Sequence, residues 1–407
     1  MAEPCTQAFG RYLRILRERR KLSLEDVCSL SRTFPDPVTK GYLSRCENGK
    51  QRLAFAKMIA LSRIYEVSAE VLVERLELDM ELDRVGGPDT ANMQYDALLA
   101  RCRAAVDGGL YWDAYAYIRD AVHLAFEPDD STCASELVVA QMRCATIARA
   151  LGRYRYALHE FLQLRSDSRL EPSLRRLLLE RLASCYENLQ HLGLAEKYAD
   201  EAITESVASG DETYLGFMYN TRALIASQRG NTELAASFYN KGYTLFRDQG
   251  RRVECPRMLN NLAQCYFNLR RYKAARRALE ASQVLSLQVG QNRSFALSQL
   301  LLGEIDELEH RPHDAERRWR EAVEAAKRLN DRVLRFKGEF LLFRRAIASE
   351  DQPAARAIGR RLRRLAPSIP SSVTELASFK AIVHSEQVTV AASQRGRRPR
   401  SNALASH

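Results

Sequence analysis

The stretch DPVTKGYLSRCENGKQR, Asp36 to Arg52, decides how this chain is read. Asp36 can accept hydrogen bonds from the free amides of a first helical turn, and Pro37 suits the first helical position. Gly49 stands just past the last helical residue, where a left-handed backbone costs glycine little. Val38, Leu43 and Cys46 share one face. Thr39, Lys40 and Arg45 stand clear of it, with Gly41 and Tyr42 beside them and Lys50 and Arg52 past the end. A short helix with a polar, basic edge beside an apolar anchor suits the major groove of DNA, which is wide enough to admit it. A capped surface helix with solvated charges carries the same local pattern, so the neighbouring segments decide between them.

On the N-terminal side, Phe9, Tyr12, Leu13 and Leu16 repeat at helical spacing and predict a helix over 6–20. Ser23 can cap the next helix, SLEDVCSLSR, with Asp26 as capping-box partner. Thr33 to Asp36 form a proline-containing turn. A fourth helix is expected from about Phe55 to Tyr65, and a fifth after Val67-Ser68 through VLVERLELDMELD, whose Leu76, Leu78, Met80 and Leu82 suit a dimer or the next domain. Charge divides this region: residues 1–53 hold eleven Lys/Arg and six Asp/Glu, net +5, and residues 54–85 hold four and seven, net −3. The positive half is the one with the candidate reading helix.

Five short helices with LSLEDVC at 22–28, YLSRCENGK at 42–50 and IYEVS at 64–68 resemble the phage-repressor-like (XRE/Cro-type) helix-turn-helix domain over about residues 8–75. The resemblance implies that Val38 to Glu47 is the recognition helix and that Thr39, Lys40 and Arg45 touch base edges, with Gly41 and Tyr42 nearby; Lys50 and Arg52, past the helix end, join Tyr42 as candidates for the same double-stranded DNA. It also implies that Glu47 pairs with an arginine of the first helix, best matched by Arg17. The chain departs from the family in the turn before the recognition helix, about five residues longer, with Phe34-Pro35-Asp36-Pro37 inserted.

The whole chain has 407 residues, a net charge of +11 and a pI of about 9.3, a balance that favours an acidic partner. No apolar run approaches the roughly 20 residues of a membrane helix, and the N-terminus has charges where a signal peptide needs an apolar centre. A cytoplasmic protein without a membrane partner is expected. The nine cysteines are scattered without a CxxC pair, so neither a zinc site nor a disulfide framework is indicated. There is no phosphate-cradling glycine loop, no paired-histidine metal spacing and no G-x-S-x-G elbow. The expectation is a non-enzyme with no cofactor and no metal. Glycine and proline are sparse, 19 and 12, and strand-like alternation is absent, which predicts an all-α chain.

Gly86-Gly87-Pro88 breaks the fifth helix and marks a linker, closing a first domain over 1–85. Beyond it an alanine recurs at 114, 157, 195, 235, 275, 315 and 355. Small residues dominate at Ala121, Ala202, Gly242, Ser282 and Ala322 seven places later, and at Cys102, Ala145, Ala183, Ala223, Ala263 and Gly303 twelve places earlier. Small side chains at fixed offsets let paired helices approach closely. GRYRYA at 152–157 and NLAQCYFNLRRYKAA at 261–275 make this array, residues 92–384, resemble about seven tetratricopeptide repeats. That resemblance implies a right-handed α-solenoid with a concave groove for a peptide or a partner's segment. Its groove positions fall fifteen, eleven and seven residues before each alanine. They give Glu180, Ser184 and Asn188, then Asn220 and Gln228, then Asn260, Gln264 and Asn268, with Phe267 and Leu224 as pockets between them. A carboxamide offers both donor and acceptor, so it can grip a peptide backbone. The stretch 385–407 is basic, lacks a helical pattern and is expected to be disordered.

A helix-turn-helix head on a tetratricopeptide array resembles the bacterial peptide-sensing (RRNPP-type) transcription regulators. The expected function is sequence-specific DNA binding modulated by a peptide or protein ligand in the groove, carried out by a homodimer. The alternative is an interaction scaffold that docks a protein partner, with the head as a tether.

Overall fold

The computed structural model describes residues 4–126, 134–371 and 373–395. Every regular element among them is helical, as the pattern requires. The chain divides into two compact units, Met1–Ile225 and Ala226–His407.

The first unit begins with five helices: α1 (Pro4–Arg19), α2 (Leu24–Ser31), α3 (Lys40–Glu47), α4 (Phe55–Ile64) and α5 (Ala69–Val85). Phe9, Tyr12, Leu13, Val27, Leu43, Leu61 and Leu72 form their shared core. After the linker come the pairs α6 (Tyr95–Asp107) with α7 (Tyr111–Phe126), α8 (Ala134–Ala150) with α9 (Tyr154–Arg165), and α10 (Pro172–Asn188) with α11 (Leu192–Ser209). α12 (Leu215–Gln228) carries the chain across the division. The second unit continues with α13 (Thr232–Asp248), then α14 (Cys255–Asn268) with α15 (Tyr272–Gln288), α16 (Asn292–Leu308) with α17 (Pro312–Arg328), and α18 (Arg332–Ala348) with α19 (Gln352–Leu365).

The alanine ladder explains the pairing. The recurring alanines 114, 157, 195, 235, 275 and 315 are fully buried and Ala355 nearly so. Each lies three residues into the second helix of its pair, whose first residues are Tyr111, Tyr154, Leu192, Thr232, Tyr272, Pro312 and Gln352. Within single units the residues twelve places earlier, Cys102, Ala145, Ala183, Ala263 and Gly303, lie on the first helix of the pair, where the four with a side chain are buried, so the two helices meet at small side chains. At one copy the position is Gly303, because Trp319 fills the space: a Cβ there would lie 2.3 Å from the indole Nε1. Five residues before each alanine the backbone is left-handed, at Gly109, Gly152, Gln190, Gly230, Arg270, His310 and Glu350. Four of the seven are not glycine, each accepting about 1–2 kcal/mol of backbone strain to close its turn. The repeat is therefore punctuated by turn geometry as much as by packing.

The expected disorder from Ser385 is not what the structure shows. α20 (Thr374–Arg395) runs on to Arg395, since nothing between 385 and 395 is a glycine or proline that would stop a helix already started. Residues 396–407, which hold Arg397, Arg398 and Arg400, lie outside the described residues.

Candidate nucleic-acid interface and repeat surface

The recognition helix is seated from three sides. α1 passes so close that a Cβ on Gly10 would lie 2.2 Å from the Cys46 carbonyl oxygen, so only glycine fits there. Arg17 of α1 grips Glu47 with two parallel bonds, Nε to Oε1 at 2.7 Å and Nη2 to Oε2 at 2.9 Å, and a third N–H donates to the Leu22 carbonyl at 2.9 Å. This is the pair implied by the helix-turn-helix resemblance, and its planar fork fixes the orientation of α3 about its axis. At the far end Gly49 is left-handed (φ +68°). Its N–H donates to Cys46 at 3.0 Å and that of Lys50 to Arg45 at 2.8 Å, closing a Schellman motif.

The start of α3 differs from expectation. Thr39, not Asp36, is the cap: its backbone is extended and its hydroxyl accepts from the Tyr42 N–H at 3.3 Å. Asp36 instead pairs with Lys57, whose Nζ also donates to the Pro37 carbonyl at 3.1 Å. The longer turn is pinned by Ser31, whose Oγ accepts from the Val38 N–H at 2.9 Å. Val38, held this way and buried, is the apolar plug before Thr39, whose extended backbone starts the helix. The capping box at Ser23 and Asp26 forms as expected.

The candidate reading residues occupy one exposed edge. Lys40 is exposed and pairs with exposed Glu25 of α2. Arg45 is exposed and its Nε donates to Gln51 at 2.8 Å. Lys50 and Arg52 are exposed on the loop that follows. Tyr42 acts on that loop. Its hydroxyl donates to the Arg52 carbonyl at 3.2 Å and accepts from the Ala54 N–H at 2.8 Å, while the Lys57 ammonium lies 5.2 Å from its ring centre. It props the segment that carries Lys50 and Arg52.

The opposite face of the head is docked on the first repeats through a buried polar network that the periodicity of the chain gave no sign of. Arg75 of α5 lies among three tyrosine rings, Tyr12, Tyr115 and Tyr156, at 5.3, 5.7 and 5.8 Å, and pairs with Asp79 at 2.6 Å. Arg19 of α1 reaches Glu160 of α9 with bonds of 3.2 and 2.8 Å, and Tyr12 donates to the same carboxylate at 3.0 Å. Burial alone would raise the Glu160 carboxyl; the Arg19 charge and these hydrogen bonds bring it down to about 2. Glu74 accepts from the Tyr156 N–H at 2.9 Å at the start of α9, where a carboxylate also meets the positive end of the helix dipole. His123 of α7 is buried beside Arg75, and burial with that charge pushes it down to about 3. Leu78 and Leu82, two of the apolar residues expected to pack against a partner or the next domain, are buried, while Met80 remains exposed.

The groove candidates divide into committed and open residues. In the first unit Glu180 is buried, accepting from Thr221 at 2.8 Å and pairing with Arg181 at 2.8 Å. Ser184 is buried and accepts from Arg149 at 3.1 Å. Asn188 is exposed and donates back to its own helix and to Glu187. The Oδ1 of Asn220 is buried with no hydrogen-bond partner. In the second unit Asn260 is satisfied at both ends, donating to the Ser294 carbonyl at 2.9 Å and accepting from Ser298 at 2.7 Å. It ties α14 to α16 and is largely buried, with one bond donated and one accepted within the repeats. Gln264 and Asn268 are exposed and bonded to each other at 3.0 Å, and Gln228 is exposed. Phe267 lines a cavity of about 440 Å³ with Leu308 and Leu341.

A feature of the first unit escaped the sequence reading. A cavity of about 670 Å³ opens among α6, α8 and α10, lined by Arg103, Arg143, Arg149 and Arg181 and by apolar side chains including Val106 and Leu177. The same offsets of fifteen, eleven and seven, applied to Ala114 and Ala157, give six residues, of which Arg103, Met142, Thr146 and Ala150 line it and Leu99 and Asp107 do not. Among the described residues no group of three or more His, Cys, Asp or Glu could hold a metal ion, and no helix is long and apolar enough to cross a membrane.

Residues 8–76 match the family model described as a helix-turn-helix domain, and residues 256–283 match a tetratricopeptide repeat. No curated protein matches the sequence. Among solved structures, the apo form of RapI covers 71% of this chain and 80% of its own at 13% identity, with a TM-score of 0.54. A Rap protein complexed with Competence and Sporulation Factor covers 91% and 99% at 13% identity and 0.52. Aspartyl phosphate phosphatase F from Bacillus subtilis covers 89% and 93% at 12% identity and 0.52. At such identities these likenesses show the fold alone. The chain joins a helix-turn-helix domain to tetratricopeptide-type helix pairs.

Proposed function

We propose that this chain is a sequence-specific DNA-binding transcription regulator whose repeats bind a peptide or protein ligand that modulates DNA binding. One observation carries the reading: the head is clamped by α1 and α5 to the first repeats while the basic edge of α3 is left in solvent. Thr39, Lys40, Arg45, Lys50 and Arg52 then meet DNA, with Tyr42 holding the loop in place. Phosphate neutralisation supplies most of the affinity and makes it salt-dependent, and the few base contacts select the site. One short helix reads few base pairs, so a homodimer on paired half-sites is part of the proposal. The Rap protein of similar fold is bound to Competence and Sporulation Factor, and a second, the conjugation gene regulator of plasmid pLS20, is complexed with the Phr* peptide, which supports a ligand on the repeats. For the ligand to act, it must bind two arrangements of the repeats unequally. The buried junction transmits such a change, because the head follows α7 and α9.

The experiment is binding of the purified protein to a genomic fragment pool at two salt concentrations, beside Lys40→Ala with Arg45→Ala. Enrichment of discrete sequences, lost in the double variant, is the expected result. Uniform binding across sequences, unchanged by the double variant, removes the regulator reading and leaves the scaffold.

A further inference from the structure

The charged side chains around two cavities of similar size are treated differently. In the second unit a cavity of about 820 Å³ is also rich in cations, but each has a carboxylate: Arg320 with Glu316 at 2.6 Å, Lys327 with Glu324 at 2.6 Å, Arg361 with Glu339 at 2.9 Å. In the first unit the arginines of the 670 Å³ cavity are poorly answered. Arg181 pairs with Glu180, which is shared with Thr221. Among the described residues Arg149 reaches only the Ser184 hydroxyl. The Nε of both arginines is buried without a hydrogen-bond partner. Burial, with the nearby positive charge of Arg149 adding to it, lowers the pKa of Arg181, which is the mark of a cation short of compensation. Arg103 and Arg143 have no ion pair among the described residues.

Much of the rest of the wall is apolar, with Thr146, Glu171, Ser173 and Tyr214 as its polar members. Val106 and Tyr111 are 37% and 40% exposed, and Leu177 joins them. Orphaned buried donors are costly, and guanidinium forks match a carboxylate in geometry and charge. A phosphate or sulfate would satisfy the arginines but leave the apolar wall bare to water. The volume is in the range of small-ligand sites.

We infer that this cavity binds a carboxylate carried on an apolar body, with Arg103, Arg143, Arg149 and Arg181 facing the carboxylate and Val106, Tyr111 and Leu177 the body. The inference rests on the reading that the repeats take a ligand, and it names that ligand's chemistry. Two sources share the chemistry, the C-terminus of an apolar peptide and a free medium-chain acid. The position suits control of the head: the cavity is built on the first helices of three pairs, and α9, directly after α8, carries the Glu160 and Tyr156 contacts to α1 and α5.

The test is calorimetric titration of the full chain with acetyl-Leu-Leu-Val-Leu bearing a free C-terminus, with its C-terminal amide, and with decanoate. The acid peptide or decanoate should bind, and the amide should bind at least roughly tenfold more weakly. Binding of the acid peptide but not of decanoate assigns a peptide C-terminus; equal binding of both assigns the carboxylate alone as the determinant. Arg143→Gln should weaken binding by about tenfold and Arg143→Lys should recover part of it. Arg271→Gln, remote in sequence and paired with Glu233, should change nothing. Arg143 has no ion pair to lose among the described residues, so its variants should fold, and Arg103→Gln is a second variant of the same kind. Equal affinity for acid and amide, indifference to both arginine variants, or no binding of any probe up to millimolar concentration overturns the proposal. Fragment-pool binding by the ligand-free protein is read alongside. Selective DNA binding with no acid bound sinks the cavity proposal alone, and acid binding without selective DNA binding sinks the regulator reading alone.

Discussion

The head domain carries charge on two faces, and the two are built differently. On the α3 edge, Lys40 and Arg45 stay in water and hold single partners, exposed Glu25 and half-buried Gln51. On the α1 and α5 face, Arg75 is out of water and Arg19 partly so, and they are answered by Asp79, Glu160 and tyrosines. Weak exposed pairs exchange readily for phosphate, since such pairs are worth little to stability. Buried pairs resist exchange, because separating them leaves an uncompensated charge in a poor solvent. One small domain thus has one face that can trade its partners and one that cannot.

The largest effect expected from breaking this contrast is at Asp79. Asp79→Ala leaves Arg75 without its carboxylate and should destabilise the protein by about 3–5 kcal/mol in urea unfolding. The double variant Lys40→Ala with Arg45→Ala should move the same transition by no more than about 0.5 kcal/mol. A loss at Asp79→Ala as small as that of the exposed pair would mean the docked face is not a rigid junction.

How far each face could be read from the chain follows from the range of its contacts. The Ser23–Asp26 box, the Gly49 motif and the alanine ladder are signalled by residues a few places apart or by strict period, and all are present. The Arg17–Glu47 pair came only through the family resemblance. The cap falls at Thr39 rather than Asp36 because the two compete within four residues, and only the Ser31–Val38 bonds, between chain segments, settle which one wins. The docked face was invisible. Arg75 and Asp79 stand four apart on a helix, the spacing of an ordinary solvated pair, and their tyrosines come from α1, α7 and α9. Asn220 and Asn260 show the same limit: they hold equivalent repeat positions, yet the Oδ1 of one is buried without a partner while that of the other accepts from Ser298.

Acid should act on the docked face before the reading edge. His123 titrates near 6.5 when unfolded and at about 3 when folded, held down by burial and by Arg75, Arg11 and Arg119 against the opposing pull of Asp120. Below pH 6.5 the unfolded chain takes up a proton that the folded one refuses. Stability then falls by about 1.4 kcal/mol per pH unit from this group, or roughly 2 kcal/mol by pH 5. His159, also lowered by burial, acts in the same direction. Glu160 contributes stability above about 4.5 that is lost only as pH falls toward about 2. Urea unfolding at pH 7 and pH 5 checks the sign, and His123→Gln should remove part of the difference. An unchanged pH dependence in that variant would mean that His123 is not the group responsible.

The smallest effect sharpens the reading edge itself. Tyr42→Phe keeps the ring under Lys57 but removes the hydroxyl that bridges Arg52 and Ala54. It should cost about 1 kcal/mol of stability, the worth of a partly exposed hydrogen bond. If Tyr42 only props the loop, DNA binding should weaken by a similar factor on every sequence, because Lys50 and Arg52 lose placement against phosphates. If the hydroxyl reads a base edge instead, the loss should fall on one position of the enriched site and leave unrelated DNA untouched. Fragment enrichment with the Phe variant separates the two, because a contact to phosphate carries no sequence information and a contact to a base edge does.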